Sequence, residues 1–144
     1  MQVEVSTMIK RSVGDVFAVL GDPEASPRWS SGMQTVTKTS DGPIGVGSTY
    51  TSTAKLLGRQ LGGASEVTAF DADRRFAVKG TVPFPVAMTW VLEPVDGSTR
   101  VVQTIEAEPG GLFKLAQPLL ATMVKRQAQS DLETLRDLME ADAL

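Results

Sequence analysis

A chain of 144 residues, 42% hydrophobic and 22% charged, has the size and composition of one soluble globular domain and leaves no place for a fibrous repeat. Fourteen Lys and Arg against seventeen Asp and Glu give a net charge of −3, which does not suit a surface that attracts phosphate backbones. With no Cys and no His, disulfides, thiolate nucleophiles, His-bound metals and the Ser-His-Asp triad are all excluded.

No nucleic-acid partner, metal or cofactor is therefore expected, and any chemistry falls to carboxylate, Lys, Arg, Tyr or Ser. The start, Met1 to Val5, alternates polar and apolar residues where a signal peptide would be basic and then apolar. No apolar run reaches the length of a membrane span, so the expected location is the cytoplasm, without membrane insertion.

Val3, Val5, Thr7 and Ile9 share one parity and Gln2, Glu4, Ser6 and Lys10 the other, which predicts a strand with one buried face. Ser12 followed by Asp15 has the form of a helix N-cap. Val13, Val16, Phe17 and Leu20 then recur at helical spacing until Gly21. Asp22 to Trp29 allows only another brief helical turn, because Pro27 lacks a backbone donor. From Gln34 to Ile105 the chain is rich in Thr, Val and Gly and reads as strands separated by turns.

The turns predict the faces. Asp96-Gly97 is a two-residue hairpin signal that sets Leu92 opposite Val101, Trp90 opposite Gln103 and Met88 opposite Ile105. Glu93 with Arg100, Val91 with Val102 and Thr89 with Thr104 then occupy the other face. A turn at Ala72-Asp73 pairs Val67 with Val78 and Ala69 with Phe76, and sets Glu66 against Lys79 outside. A third turn near Gly58-Arg59 places Tyr50, Ser52 and Ala54 with Ser65 and Val67. After Pro109-Gly110-Gly111 the period becomes helical. Leu112 to Ala116 reads as an approach segment, and a main helix from about Pro118 to Ala141 carries the stripe Leu120, Val124, Ala128, Leu132, Leu135 and Met139. Such a helix is roughly 35 Å long, enough to cross a sheet, and the stripe is what covering that sheet requires.

This order of elements, with certain motifs, resembles the START-like SRPBCC superfamily, particularly its bacterial polyketide cyclase/dehydrase branch. The motifs are Val13-Gly14-Asp15-Val16-Phe17-Ala18-Val19-Leu20 with Asp22-Pro23 and Pro27-Arg28-Trp29, then Gly42-Pro43-Ile44-Gly45-Val46-Gly47-Ser48-Thr49-Tyr50. They continue with Phe70-Asp71, Arg75-Phe76, Trp90-Val91-Leu92-Glu93-Pro94, Gly97 to Val101 and Asp131 to Arg136. The resemblance spans nearly the whole chain and implies one domain over residues 1–144. The implied class is α+β with the helix-grip fold. A curved antiparallel sheet of about seven strands wraps around the long C-terminal helix, with two short helices between the first two strands. It also implies an apolar cavity between sheet and helix. Known members include lipid and hormone carriers, aromatase/cyclases, chaperone activators and self-resistance proteins, so the fold alone does not select a function.

The deduced inner face carries no charge and offers Tyr50, Ser52, Ser65, Phe76, Met88, Trp90 and Gln103, to which Trp29 at the cavity edge is added as a candidate ligand contact. The expected partner is a small apolar or aromatic metabolite, bound by a monomer or weak homodimer. Phe76, Leu92 and Val101 also suit plain core packing, and Met88 and Trp90 suit either role. Gln103 either bonds Tyr50 or the Trp90 indole, or meets water and ligand in a cavity. Tyr50, the only Tyr, is the best single candidate for a catalytic acid, although an orienting hydrogen bond is the simpler role. If the chain is an enzyme, it is a cyclase, aromatase or dehydratase without metal or His-based catalysis. Trp29 could equally wedge the short helix onto the sheet. Glu66 with Lys79 and Glu93 with Arg100 read as exposed cross-strand pairs, and Gly42, Gly45 and Gly47 as turn and bulge positions. Asp71 and Asp73 sit at a hairpin tip without a calcium-loop pattern. A protein-interaction role, as in co-chaperone branches, would need an exposed apolar patch beyond the core.

Overall fold

The computed structural model describes residues 1–56, 58–81 and 84–144. Strand β1 (Gln2–Ile9) is followed by helix α1 (Val13–Leu20) and a 3-10 helix at Pro23–Arg28. A run of strands comes next: β2 (Met33–Lys38), β3 (Thr49–Leu56), β4 (Arg59–Asp71), β5 (Arg75–Gly80), β6 (Val86–Val95) and β7 (Ser98–Ala107). One helical turn, α2 (Leu112–Leu115), leads into the long helix α3 (Gln117–Glu140). The seven strands form one antiparallel sheet in the order β1-β7-β6-β5-β4-β3-β2. This is the helix-grip architecture, with two short helices between β1 and β2.

Local chemistry accounts for most boundaries. The Ser12 side chain accepts from the Asp15 N–H at 3.2 Å and starts α1, and the Gly21 N–H closes it on the Phe17 carbonyl at 2.8 Å. Asp96 and Gly97 both have positive φ, 49° and 81°, the conformation that matches hairpin twist. The β6–β7 pairing accordingly has the expected register, with Trp90 opposite Gln103, Leu92 opposite Val101 and Met88 opposite Ile105.

The β4–β5 pairing corrects an expectation. Val67 does oppose Val78, and Glu66 opposes Lys79, but Ala69 faces Ala77 and Phe70 faces Phe76. Asp71 pairs with Arg75, so the loop is one residue longer than a two-residue turn, with Asp73 at a φ of 63°. An irregularity between Val67 and Ala69 takes up the extra residue. As a result Phe70, not Ala69, joins the core, where its ring meets Phe17 at 5.3 Å and Phe76 at 6.1 Å. Register also sets Lys38 opposite Tyr50, which places a cation at an inward position that the sequence reading left uncharged. Its ammonium turns away to the carbonyls of Ser40, at 2.8 Å, and Gly42.

Helix α3 lies chiefly against β1. Leu120, Ala128, Leu132, Leu135 and Met139 of the expected stripe are buried, and Val124 packs against them. Burial of each Leu and Met side chain of the stripe is worth about 1.5–3 kcal/mol. The end of α3 is fixed to the β1–α1 turn, where Arg11 donates to the Glu140 carbonyl at 2.9 Å. A smaller apolar cluster of Phe84, Ala107 and Leu120 supports the start of α3, with Phe113 edge-on to Phe84 at 5.3 Å.

Candidate functional site

Alternation along the strands builds the inner face in rows. Tyr50, Ser65, Gly80, Val86 and Ala107 form one row across β3 to β7. Val67, Val78, Met88, Ile105 and Val3 form the next, and Phe70, Phe76, Trp90, Gln103 and Val5 the third. The sequence-predicted residues Tyr50, Ser65, Phe76, Met88, Trp90 and Gln103 therefore share one face. Ser52 lies one position further along β3, opposite Gly63, and is half-buried. Trp29 comes from outside the sheet, at the end of the 3-10 helix, and its ring is part of the same core cluster.

Polar groups on this face are unusually short of partners. Among the described residues, four buried side-chain atoms make no hydrogen bond: Trp29 Nε1, Tyr50 Oη, Trp90 Nε1 and Gln103 Oε1. Their residues are only 6%, 1%, 7% and 5% exposed, so bulk water does not satisfy them. The Gln103 amide donates to Met88 Sδ at 3.9 Å, a weak contact, and bonds neither Tyr50 nor the Trp90 indole. Each orphaned group costs roughly 1–3 kcal/mol of desolvation. Phe76 lies tilted against Trp90 at 5.9 Å and holds the indole plane in place.

Burial raises the Tyr50 pKa above the ordinary phenol value of 10.0, and the negative charges of Asp22 and Glu24 raise it further. Tyr50 is thus a neutral hydroxyl across the physiological range, able to donate a hydrogen bond but unsuited to act as a base.

The loop bearing Trp29 is held by a residue that the sequence reading did not single out as functional. Asp131 of α3 is 7% exposed and accepts from Ser30 Oγ at 3.1 Å, Ser31 N–H at 3.1 Å and Ser31 Oγ at 2.9 Å. A signal for it existed: position 131 falls between Ala128 and Leu135 at helical spacing, on the buried stripe. A carboxylate there must be paired.

A hollow of about 880 Å³ crosses the end of the sheet, lined largely by outward-facing side chains such as Thr49, Thr51, Glu66, Lys79, Ala87 and Glu106. Of the expected set it touches Tyr50 and Ser65, and it does not reach Trp29, Ser52, Phe76, Met88, Trp90 or Gln103. Glu66 and Lys79 form the expected exposed pair at 3.4 Å. Gly42 and Gly47 have φ of 83° and 93°, consistent with turn positions.

The family described as polyketide cyclase / dehydrase and lipid transport matches residues 1–140. The chain belongs to this family. Solved structures with the same fold include the Thermus thermophilus protein TTHA0849, at 19% identity and a TM-score of 0.82 over 100% of both chains. The ZhuI aromatase/cyclase from Streptomyces sp. R1128 has 16% identity and a TM-score of 0.80, over 97% of this chain and 93% of the other. The di-domain aromatase/cyclase BexL from the BE-7585A biosynthetic pathway has 18% identity and a TM-score of 0.72, and the match covers 97% of this chain and 46% of that one. No curated protein matches the chain. Within this polyketide cyclase/dehydrase family of the SRPBCC superfamily, identities this low carry the fold and leave the ligand to be argued from this chain's own residues.

Proposed function

We propose that residues 1–144 act as one ligand-binding unit that takes a small, neutral aromatic or otherwise apolar metabolite between the sheet and α3. The observation that carries this reading is the set of orphaned polar atoms on an apolar wall. Trp29 and Trp90 present N–H donors, Tyr50 presents a hydroxyl and Gln103 presents an acceptor. A ligand with carbonyl or ether oxygens and one or more hydroxyl donors complements all four. A plain hydrocarbon chain complements none of them. The Phe70, Phe76 and Trp90 rings supply the aromatic surface. We place the protein in the cytoplasm as a monomer or weak homodimer.

A thermal-shift screen of hydroxylated flavonoid-like and polyketide-like aromatics, steroids and fatty acids tests this. Hydroxy-carbonyl aromatics should raise Tm, and the shift should shrink in Trp90→Phe, which keeps an aromatic ring, though a smaller one, and loses the N–H. Stabilisation by fatty acids alone, or an equal shift in Trp90→Phe, would refute it.

A cyclase, aromatase or dehydratase activity is the second reading, and the buried Tyr50 hydroxyl without a protein partner favours it. A phenol that stays protonated can polarise a carbonyl while the apolar inner face orients the chain. In that case Tyr50→Phe abolishes turnover of a poly-β-keto substrate while binding persists. Full turnover in Tyr50→Phe removes Tyr50 from the chemistry.

A further inference from the structure

We propose that α2 and the first half of α3 dock the protein onto an anionic lipid bilayer. Three large apolar side chains stand out of the fold at four-residue intervals: Leu115, Leu119 and Met123, exposed by 84%, 65% and 40%. Leu120 and Val124 on the opposite side of α3 already serve the core, so the outer stripe is not needed for folding. The same segment is wholly cationic. Between residues 109 and 130 the charged residues are Lys114, Lys125 and Arg126, all exposed, whereas Asp131, Glu133, Asp137, Glu140 and Asp142 follow with only Arg136 among them.

A protein of net charge −3 thus carries three exposed large apolar side chains and three cations, with no acidic residue, on α2 and the first half of α3. The β3–β4 hairpin extends the positive region. Lys55 donates its N–H to the Gly32 carbonyl at 2.9 Å, Gly32 lies against the Gln127 amide of α3, and Lys55 and Arg59 are both exposed.

An apolar stripe flanked by Lys and Arg is the chemistry of a helix lying in the plane of a bilayer interface. The acidic remainder of the molecule does not cancel the attraction, because charges more than about 8 Å from the surface are screened at physiological salt. A protein partner is the poorer fit. The stripe is aliphatic and without the Trp or Tyr that anchors a protein interface. Among the described residues no helix is long and apolar enough to cross a membrane, so the contact is peripheral. The proposal stands whether or not the interior binds a ligand.

The test is co-sedimentation of the full chain with phosphatidylcholine vesicles and with vesicles of phosphatidylcholine mixed with phosphatidylglycerol. Binding is expected to the mixed vesicles only and to fall with added salt. Lys125→Gln with Arg126→Gln should weaken it roughly 20- to 30-fold, about fivefold for each cation. Leu119→Asp should abolish it, with circular dichroism and Tm unchanged in both variants. Binding no stronger to the mixed vesicles than to phosphatidylcholine, or unaltered by Leu119→Asp, overturns the proposal. So does a concentration-dependent dimer that Leu119→Asp dissolves, which would assign the stripe to a second copy of the chain.

Discussion

Asp131 and the Tyr50–Trp90–Gln103 wall are both polar and both buried, yet their polar groups are treated in opposite ways. The carboxylate is met by two hydroxyls and a backbone N–H from Ser30 and Ser31, and it ties α3 to the loop that carries Trp29. On the wall, a phenol, an indole and an amide oxygen lie without partners a few strands away. Burial alone does not separate structural polar residues from binding ones. Whether the fold itself satisfies them does, because an unsatisfied group is a standing cost that only something outside the chain can relieve.

The contrast is broken most sharply at Asp131. Asp131→Ala removes the charged acceptor of three hydrogen bonds from half-buried Ser30 and exposed Ser31, and should cost about 1.5–3 kcal/mol in urea unfolding. A cost below about 1 kcal/mol would mean that the clasp does not hold the Trp29 loop, since a hydrogen bond to a charged group is ordinarily worth more than that.

Gln103→Leu should act in the other direction. It removes an orphaned acceptor, keeps the volume and gains about 1–2 kcal/mol of stability.

Tyr50→Phe should be smaller still, a gain of at most about 1 kcal/mol at neutral pH, but it carries a pH signature. Because the folded-state pKa of Tyr50 lies above 10.0, the folded protein keeps the phenol proton where the unfolded chain releases it. Stability is therefore unaffected by this group below the ordinary phenol range and falls as pH rises from there through the raised value. That alkaline decline should disappear in Tyr50→Phe. A decline of the same size in both proteins would assign it to other groups.

Much of the frame was legible because particular residues allow only one local solution. Asp96-Gly97 adopts two positive φ values, and this fixed every pair from Val95–Ser98 to Met88–Ile105. The Ala72-Asp73 turn was less readable. Without a glycine to declare the turn type, the longer loop and its compensating irregularity near Thr68 cannot be told from a plain two-residue hairpin, so alternation sets Ala69 opposite Phe76 where the structure sets Phe70. The members of the inner wall followed from alternation alone. What alternation cannot supply is the direction of a hydroxyl or an amide, so the choice of Met88 as the Gln103 partner and the isolation of the two indoles required coordinates. Asp131 sat in plain view on the apolar stripe, but its meaning depended on a loop roughly 100 residues away in sequence, which helical periodicity does not reach.

The central claim is that the unpaired wall atoms face a ligand, and the most direct measurement is Tm of the wild-type and Gln103→Leu proteins, each with and without a hydroxy-carbonyl aromatic. The account predicts that Gln103→Leu melts higher than wild type when free and gains less from the aromatic, by about 0.5–1.5 kcal/mol of lost binding. A variant that melts lower when free, or one that gains as much as wild type from the aromatic, would show that Gln103 serves the fold and not a ligand.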